Sequence, residues 1–240
     1  MIMKKLRFAA ALAMMTMLAC ACDPEHFEDD IDEPLASISY WGEDVYSFTY
    51  NDSGRIATIT DNLNDIRISV RYNPLRLTIG GEEIKNIKCN DKGYIESFWG
   101  DSPDGATAYC EYDADGHLLQ FRMDDFYKVD LKWEKDCLVQ AKDYDEDDLM
   151  NTVNYEYKND DNRNGLWIPL WPGPMELPHL MTTGLFGKIP SKLVSRISSQ
   201  YPGGYNAFSY KLNKQGLILS MHVDFGDGGS YDDWVFNYDD

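Results

Sequence analysis

The chain has 240 residues, 43% of them hydrophobic, which is enough to bury one sizeable core. Its 41 acidic and 22 basic side chains give a formal net charge of -19. This excess of negative charge argues against nucleic acid as a partner, because phosphate binding requires clustered Lys and Arg. Tyr, Phe and Trp are plentiful, at 16, 10 and 6 copies, and such aromatic residues favour β-strands.

The first 19 residues have the pattern of a signal peptide. Lys4, Lys5 and Arg7 precede an uncharged apolar run from Phe8 to Leu18. This run is too short to span a bilayer core, which needs about 20 residues. We therefore expect residues 1–19 to be removed during export.

The apolar run ends in Leu18-Ala19-Cys20, followed by Ala21 and Cys22. A small residue before a cysteine at this place resembles the lipobox of bacterial lipoproteins, in which the cysteine is acylated and becomes the mature N-terminus. The resemblance implies a lipid on Cys20, with Cys22 as the alternative. An ordinary secretory signal that is cleaved elsewhere is the other interpretation.

Residues 20–34 follow as an acidic segment: from Asp23 to Pro34, seven of twelve residues are acidic and none is Lys or Arg. Such a run repels itself and buries nothing, so it predicts an extended tether. An acidic stretch after the lipidated cysteine also resembles the surface-export signal of Bacteroidota lipoproteins, although a plain solvated spacer explains it equally well. A lipid on the mature N-terminus would anchor the chain to the outer membrane of the cell envelope, which would then be its binding partner.

From residue 35 to residue 240, apolar and polar residues alternate in short runs, which is the period of antiparallel strands with one buried face. The clearest runs are 46–50, 66–72, 129–133, 153–157, 208–212, 217–225 and 234–238. They predict one mainly β domain, an antiparallel up-and-down meander that is curved or barrel-like. Charged residues such as Arg67, Arg71, Asp130 and Lys132 fall on its outward positions. Because charges facing lipid are costly, we expect the meander to be soluble.

One turn sequence recurs four times between these runs, with an Asn or Asp at the end of a strand and a Gly three residues later. The glycines are Gly54, Gly93, Gly116 and Gly216. Asn or Asp followed by Gly is the chemistry of a short hairpin loop in which the Gly has positive φ.

The frame Tyr-x-Tyr-Asn/Asp-x-x-Gly-x-Ile/Leu is similar to the tyrosine-aspartate repeats of bacterial surface and toxin-associated proteins. Together with the lipobox and the acidic tether, it resembles a family of Bacteroidota lipoproteins whose domain of unknown function is described as porin-like. The resemblance would cover roughly residues 35–240. It implies an architecture but no catalytic residue.

Residues 163–204 break the alternation and contain six prolines, together with Trp167 and Trp171. Two groups of apolar residues with helical spacing predict two short helices, Leu177, Leu180, Met181 and Leu185 in the first, and Ile189, Leu193, Val194 and Ile197 in the second. We expect this insertion either to cover the sheet or to wall a groove beside Trp167 and Trp171, which are the candidate binding residues.

The sequence offers little catalytic or metal-binding chemistry. Glu111, Asp113 and Asp115 imitate the start of a calcium-binding EF-hand loop, but Arg122 occupies the position that must be a bidentate acid. The four histidines lack metal-ligand spacing, so neither a metal nor a cofactor is predicted. We expect Cys89, Cys110 and Cys137 to be buried free thiols.

Two functions remain open at this point. The first is a non-catalytic binding or structural module for a glycan or an envelope protein. The second is a glycosidase-like hydrolase that uses paired carboxylates. Aromatic residues on an open surface would favour the first, whereas two carboxyls about 5 to 10 Å apart in a cleft would favour the second.

Overall fold

The computed structural model describes residues 34–99, 107–124, 126–166, 176–199, 205–226 and 228–239. The described residues form sixteen β-strands and one short α-helix. The strands are β1 (Leu35–Tyr40), β2 (Glu43–Tyr50), β3 (Ile56–Asp61), β4 (Ile66–Tyr72), β5 (Leu75–Ile79), β6 (Glu82–Cys89), β7 (Ile95–Trp99), β8 (Thr107–Tyr112), β9 (Leu118–Met123), β10 (Tyr127–Glu134), β11 (Cys137–Asp145), β12 (Asp148–Asp161), β13 (Lys192–Ser199), β14 (Tyr205–Leu212), β15 (Ile218–Asp224) and β16 (Tyr231–Tyr238). The helix α1 (Glu176–Thr182) lies between β12 and β13.

The sixteen strands form a closed antiparallel barrel in which each strand pairs with the next along the chain. Closure comes from the first and last strands, where Ile38 pairs with Phe236 and Tyr40 with Trp234. The predicted antiparallel up-and-down meander is therefore confirmed, and it closes on itself.

The wall of the barrel is apolar inside and polar outside. In β4, Ile66, Ile68 and Val70 are buried, while Arg67 and Arg71 are exposed to solvent. Membrane barrels with this many strands enclose an aqueous channel, but here the inward side chains form one apolar cluster. Each fully buried Ile or Val contributes roughly 1.5–3 kcal/mol to stability. Because the charges lie on the outer wall, the wall has the opposite polarity to that of a lipid-embedded barrel.

An up-and-down barrel places successive turns at alternate ends. We call one end the glycine end; it carries the loops that follow β2, β6, β8 and β14. Those loops contain Gly54, Gly93, Gly116 and Gly216, with φ of +74°, +81°, +95° and +84°. We call the opposite end the rim; its turns follow β1, β3, β5, β9, β11 and β15. The chain enters β1 at the glycine end, where the Asp239 N–H donates to the Pro34 carbonyl over 3.0 Å.

The four glycine-containing loops share one hydrogen-bond pattern. In the first, the side-chain oxygen of Asn51 accepts from the N–H groups of Ser53 and Arg55 at 2.9 and 3.0 Å. Asn90, Asp113 and Asn213 accept equivalent bonds in the other three loops. The Asn or Asp thus fixes the loop, and the Gly supplies the left-handed conformation that closes it.

The long connection between β12 and β13 leaves the barrel at the glycine end and folds back into its interior. Leu180, Met181, Leu185 and Phe186 are buried in the same core as the inward side chains of the strands. The Ile95 N–H donates to the Leu185 carbonyl over 2.8 Å. The segment therefore acts as an internal plug. The side chain of Leu177, which belongs to the same predicted helix, is not among the side chains that the structure describes.

The second predicted helix is wrong. Residues 192–199 form β13, in which Ile197 pairs with Tyr155 and Val194 with Tyr157. The run is so short that Leu193, Val194 and Ile197 fit helical spacing as well as strand spacing. Val194 and Ile197 are β-branched, and such residues pack well in a strand that has partners on both sides.

The cysteines differ partly from expectation. All three are free, as predicted, but Cys110 is buried while Cys89 and Cys137 are half-buried. Burial raises the pKa of the Cys110 thiol to about 12. The thiolate, which is the reactive form, is therefore scarce at neutral pH.

Candidate functional site

Large hydrophobic side chains left in water gather at the rim. Among the described residues, ten such side chains are exposed, and seven of them lie at this end of the barrel. We call these seven the aromatic rim: Trp41, Leu63, Trp99, Phe126, Leu149, Met150 and Tyr231. Exposed apolar side chains that concentrate in one region of a protein mark interaction sites.

Trp41 is the most exposed of the seven, at 83% of its surface. It occupies a two-residue turn with Gly42 between β1 and β2, where the two residues have φ of +52° and +82°. A positive φ is costly for a bulky side chain, roughly 1–3 kcal/mol, and persists where the surroundings enforce it. The fold thus holds a tryptophan in water in a strained turn, which is an indication of function rather than of stability.

Trp41 is the outer end of a continuous series of stacked rings. Its ring stacks on Tyr40 with centroids 5.3 Å apart, and Tyr40 stacks on Trp234 at 5.0 Å. Trp234 stacks on Tyr46 at 6.0 Å, and Tyr46 lies 5.9 Å from the ring of His179 in α1. We call these five residues the aromatic stack. It leads from the solvent at the rim to the internal plug.

Carboxylates hold two members of the aromatic stack, Tyr40 near its outer end and His179 at its inner end. The Tyr40 hydroxyl donates to Asp232 over 2.6 Å, and this hydrogen bond raises the pKa of Tyr40. At the inner end, Nε2 of His179 lies 2.9 Å from Oδ2 of Asp61, and both residues are buried. Burial alone would raise the pKa of Asp61, but hydrogen bonds from His179 and Asn64 outweigh it and hold the pKa below its ordinary value. Asp61 is therefore a buried carboxylate.

One donor inside the aromatic stack has no acceptor. The indole N–H of Trp234 is buried and makes no hydrogen bond with the described residues. Leaving a buried donor unpaired costs roughly 1–3 kcal/mol. Trp234 is thus retained here for its ring rather than for its N–H group.

A second cluster, at the glycine end, serves the fold. Ligand atoms of Asp113, Asp115 and His117 lie within 4.8 Å of one another. However, Nδ1 of His117 is 2.8 Å from Asp113, and Nε2 is 3.0 Å from Asp136. Both ring nitrogens are therefore already engaged. The backbone of Asp136 also accepts from the Ser191 N–H, so the cluster fastens the end of the plug to the barrel.

The predicted binding and lipidation residues stay predictions, because they are not among the residues that the structure describes. Trp167 and Trp171 lie outside the described residues, as do Cys20 and Cys22. The four loop glycines are all at the end of the barrel opposite the aromatic rim. Trp41 and Tyr231 were missed, although a tryptophan directly before a glycine in a two-residue turn is an unusual signal that could have indicated the site.

Comparison with solved structures shows the fold. The chain is similar to a porin-like protein from Bacteroides uniformis, with 15% sequence identity and a TM-score of 0.64, over 86% of this chain and 97% of that one. It is also similar to a porin-like protein from Bacteroides vulgatus, with 13% identity and a TM-score of 0.60, over 86% of this chain and 99% of that one. The chain matches no protein-family model and no curated protein. None of the helices in the described ranges has the length and apolarity needed to cross a membrane.

Proposed function

We propose that this chain is a lipid-anchored protein of the cell envelope whose barrel is a non-catalytic binding module, and that the aromatic rim contacts the ligand, a glycan or a protein of the envelope. The observation that carries the proposal is the position of the aromatic rim, at the end of the barrel opposite the entry of the chain. The similar Bacteroides structures, described as porin-like, support an envelope location.

The position of the chain entry decides which end of the barrel is tied to the membrane anchor. With the lipid on Cys20, residues 20–34 would tether the barrel to the membrane and join β1 at the glycine end. An extended tether of this length reaches about 50 Å. The glycine end is then the end attached to the anchor, and a tether of this length leaves the aromatic rim free to meet incoming ligands.

The charges of the two ends differ in the same sense. The described loops of the glycine end hold six basic residues (Arg55, Lys92, Lys135, Arg163, Lys188 and Lys214) and five acidic ones (Asp52, Asp91, Asp113, Asp115 and Asp136), a net charge of +1. None of the described rim turns contains Lys or Arg, whereas four acidic residues occur there: Asp65, Asp124, Glu146 and Asp147. Basic residues near a surface are attracted by anionic lipid head groups, and acidic residues are repelled.

The binding role is favoured over the hydrolase because of the state of the carboxyls near the rim. A glycosidase requires a carboxyl that stays protonated and can reach the sugar. Asp61 is buried and ionised, and Asp232 accepts a hydrogen bond from Tyr40. Asp143, whose pKa burial raises, is half-buried with its Oδ1 shielded from solvent, so at most its second oxygen is open to a sugar. By contrast, the aromatic rings of the rim lie on an open surface.

A binding assay with matched surface variants tests the proposal. The purified mature chain is titrated with envelope material from the producing bacterium, once as the wild type and once with Trp41, Phe126 and Tyr231 all changed to Ser. The control changes Leu119 and Val235, two exposed apolar residues outside the aromatic rim, to Ser. We expect saturable binding that is at least tenfold weaker in the rim variant and unchanged in the control. Equal binding by all three proteins would refute the proposal.

A further inference from the structure

We propose that Trp41 and Tyr231 form a stacking site for an uncharged sugar of a glycan. The inference rests on the proposed function of the rim and assigns its ligand class. These two side chains have the largest exposed fractions, 83% and 59%, of the large hydrophobic residues that the structure describes. They lie at the tips of two neighbouring hairpins, because β1 pairs with β16.

The position of the rings matches what a sugar requires. Tyr40 covers one face of Trp41 at 5.3 Å, and the high exposure of Trp41 leaves its other face to solvent. Tyr231 lies against the ring of His222, tilted by 31° with centroids 5.2 Å apart. The C–H groups of a pyranose are weakly positive and pack on the electron-rich face of an aromatic ring. A ring that is already held in place loses little conformational freedom when a ligand binds.

Two carboxylates stand next to these residues in the chain and could accept from sugar hydroxyls. Asp232 directly follows Tyr231 and also accepts from the Tyr40 hydroxyl, and Asp44 follows the Trp41–Gly42 turn by two residues. Hydrogen bonds from Ser39 and Ser37 hold the pKa of Asp44 below its ordinary value, so this side chain is an anionic acceptor at neutral pH. Carboxylates of this kind can each accept from two neighbouring hydroxyl groups.

The charge of the two hairpins selects among glycans. Residues 39–44 and 224–233 contain six acidic residues and no Lys or Arg. Sulfated, uronic or sialylated glycans would therefore meet like charge without a compensating cation, which discriminates strongly against them. An uncharged glycan meets no such repulsion.

The same surroundings favour a glycan over a protein as the ligand. Energetically dominant contacts between proteins lie in dry, well-packed centres from which water is excluded. Trp41 is instead bordered by the exposed acidic residues Glu43 and Asp44. Solvent-exposed aromatic rings with nearby hydrogen-bond acceptors suit a polyhydroxylated ligand better than they suit an apolar side chain of a partner protein.

Affinity electrophoresis of the mature chain tests the inference with three classes of polysaccharide. These are neutral (a mannan, a β-glucan and a galactan), anionic (polygalacturonate and heparin) and cationic (chitosan). Trp41→Ala and Trp41→Phe are compared with Leu119→Ala, which removes an exposed hydrophobic side chain outside the aromatic rim. All variants must melt within a few degrees of the wild type.

We expect at least one neutral polysaccharide to retard the wild type and the anionic ones to have no effect. Trp41→Ala should weaken binding at least tenfold, Trp41→Phe should retain part of it, and Leu119→Ala should leave it nearly unchanged. Binding to no neutral polysaccharide, or equal losses in Trp41→Ala and Leu119→Ala, would overturn the inference. If the triple rim variant still loses envelope binding in that case, the rim function stands and only the sugar assignment fails; retained envelope binding would remove both.

Discussion

His179 and Asp61 lie 118 positions apart in the sequence and meet inside the barrel at 2.9 Å. Each belongs to a different part of the fold, because His179 is in the plug helix α1 and Asp61 ends strand β3. The pair therefore holds the plug to the wall and supports the inner end of the aromatic stack.

Removal of His179 should be costly. His179→Ala leaves the buried Asp61 carboxylate without one of its hydrogen-bond partners, and leaving a buried group unsatisfied in this way costs about 1–3 kcal/mol, with charged groups at the upper end. The exposed pair of His222 with Asp233 is the control, since His222→Ala should change the free energy of unfolding by less than about 1 kcal/mol. Urea unfolding followed by tryptophan fluorescence measures both. Similar losses in the two variants would contradict the role of His179.

The stability that Asp61 contributes should decrease as the pH falls. Because the pKa of Asp61 is lowered in the folded state, the contribution is present above the ordinary pKa of about 3.9 and is lost as the pH falls through the folded value. The difference in unfolding free energy between the wild type and Asp61→Asn should therefore shrink as the pH falls from neutral toward about 2. A difference that stays constant across this range would show that the carboxylate charge contributes nothing.

The loop glycines should differ in tolerance to alanine. Gly54 and Gly116 both have positive φ, which costs a non-glycine residue roughly 1–2 kcal/mol. A Cβ at position 54 would meet nothing within 4 Å, whereas at position 116 it would lie 2.8 Å from the ring of Tyr94. Gly54→Ala should therefore lower the melting temperature modestly, and Gly116→Ala should lower it clearly further. The reverse order in thermal unfolding would refute this account.

The lipid anchor has a direct test. If Cys20 carries the proposed lipid, Cys20→Ser should abolish acylation and move the protein from the membrane fraction to the soluble fraction, because serine has no thiol to accept the lipid. Cys22→Ser is the matched control and should leave both properties unchanged. Mass spectrometry of the mature N-terminus reports the modified residue, and acylation that depends on Cys22 instead would move the anchor by two residues.

The strands could be predicted from the sequence because alternation is a local property. Runs such as 66–72 have a period of two that only a strand with one buried face explains. Closure of the barrel could not be predicted in the same way, since it depends on pairing between Tyr40 and Trp234, far apart in the chain. The second helix was predicted wrongly because the few apolar residues in 189–197 fit both the helical period and the strand period.

The site was harder to predict than the fold. Sequence alternation shows which residues face inward, but a turn residue such as Trp41 belongs to neither face. Its exposure follows from the two-residue turn, and its support follows from Tyr40 and Trp234, which meet only when the barrel closes. The buried pair of His179 and Asp61 likewise requires the plug to enter the barrel, which no local pattern specifies.

Closure of the barrel also bears on how such a protein would behave if the proposed lipid anchor concentrated many copies on one membrane. A sheet with open edges offers unpaired backbone groups to its neighbours, and proteins concentrated on a surface are then prone to join edge to edge. In the described part of this chain every strand has a partner on both sides. Crowded copies therefore have no strand edge through which to polymerise, and the sheet can be displayed densely without becoming a seed for fibres.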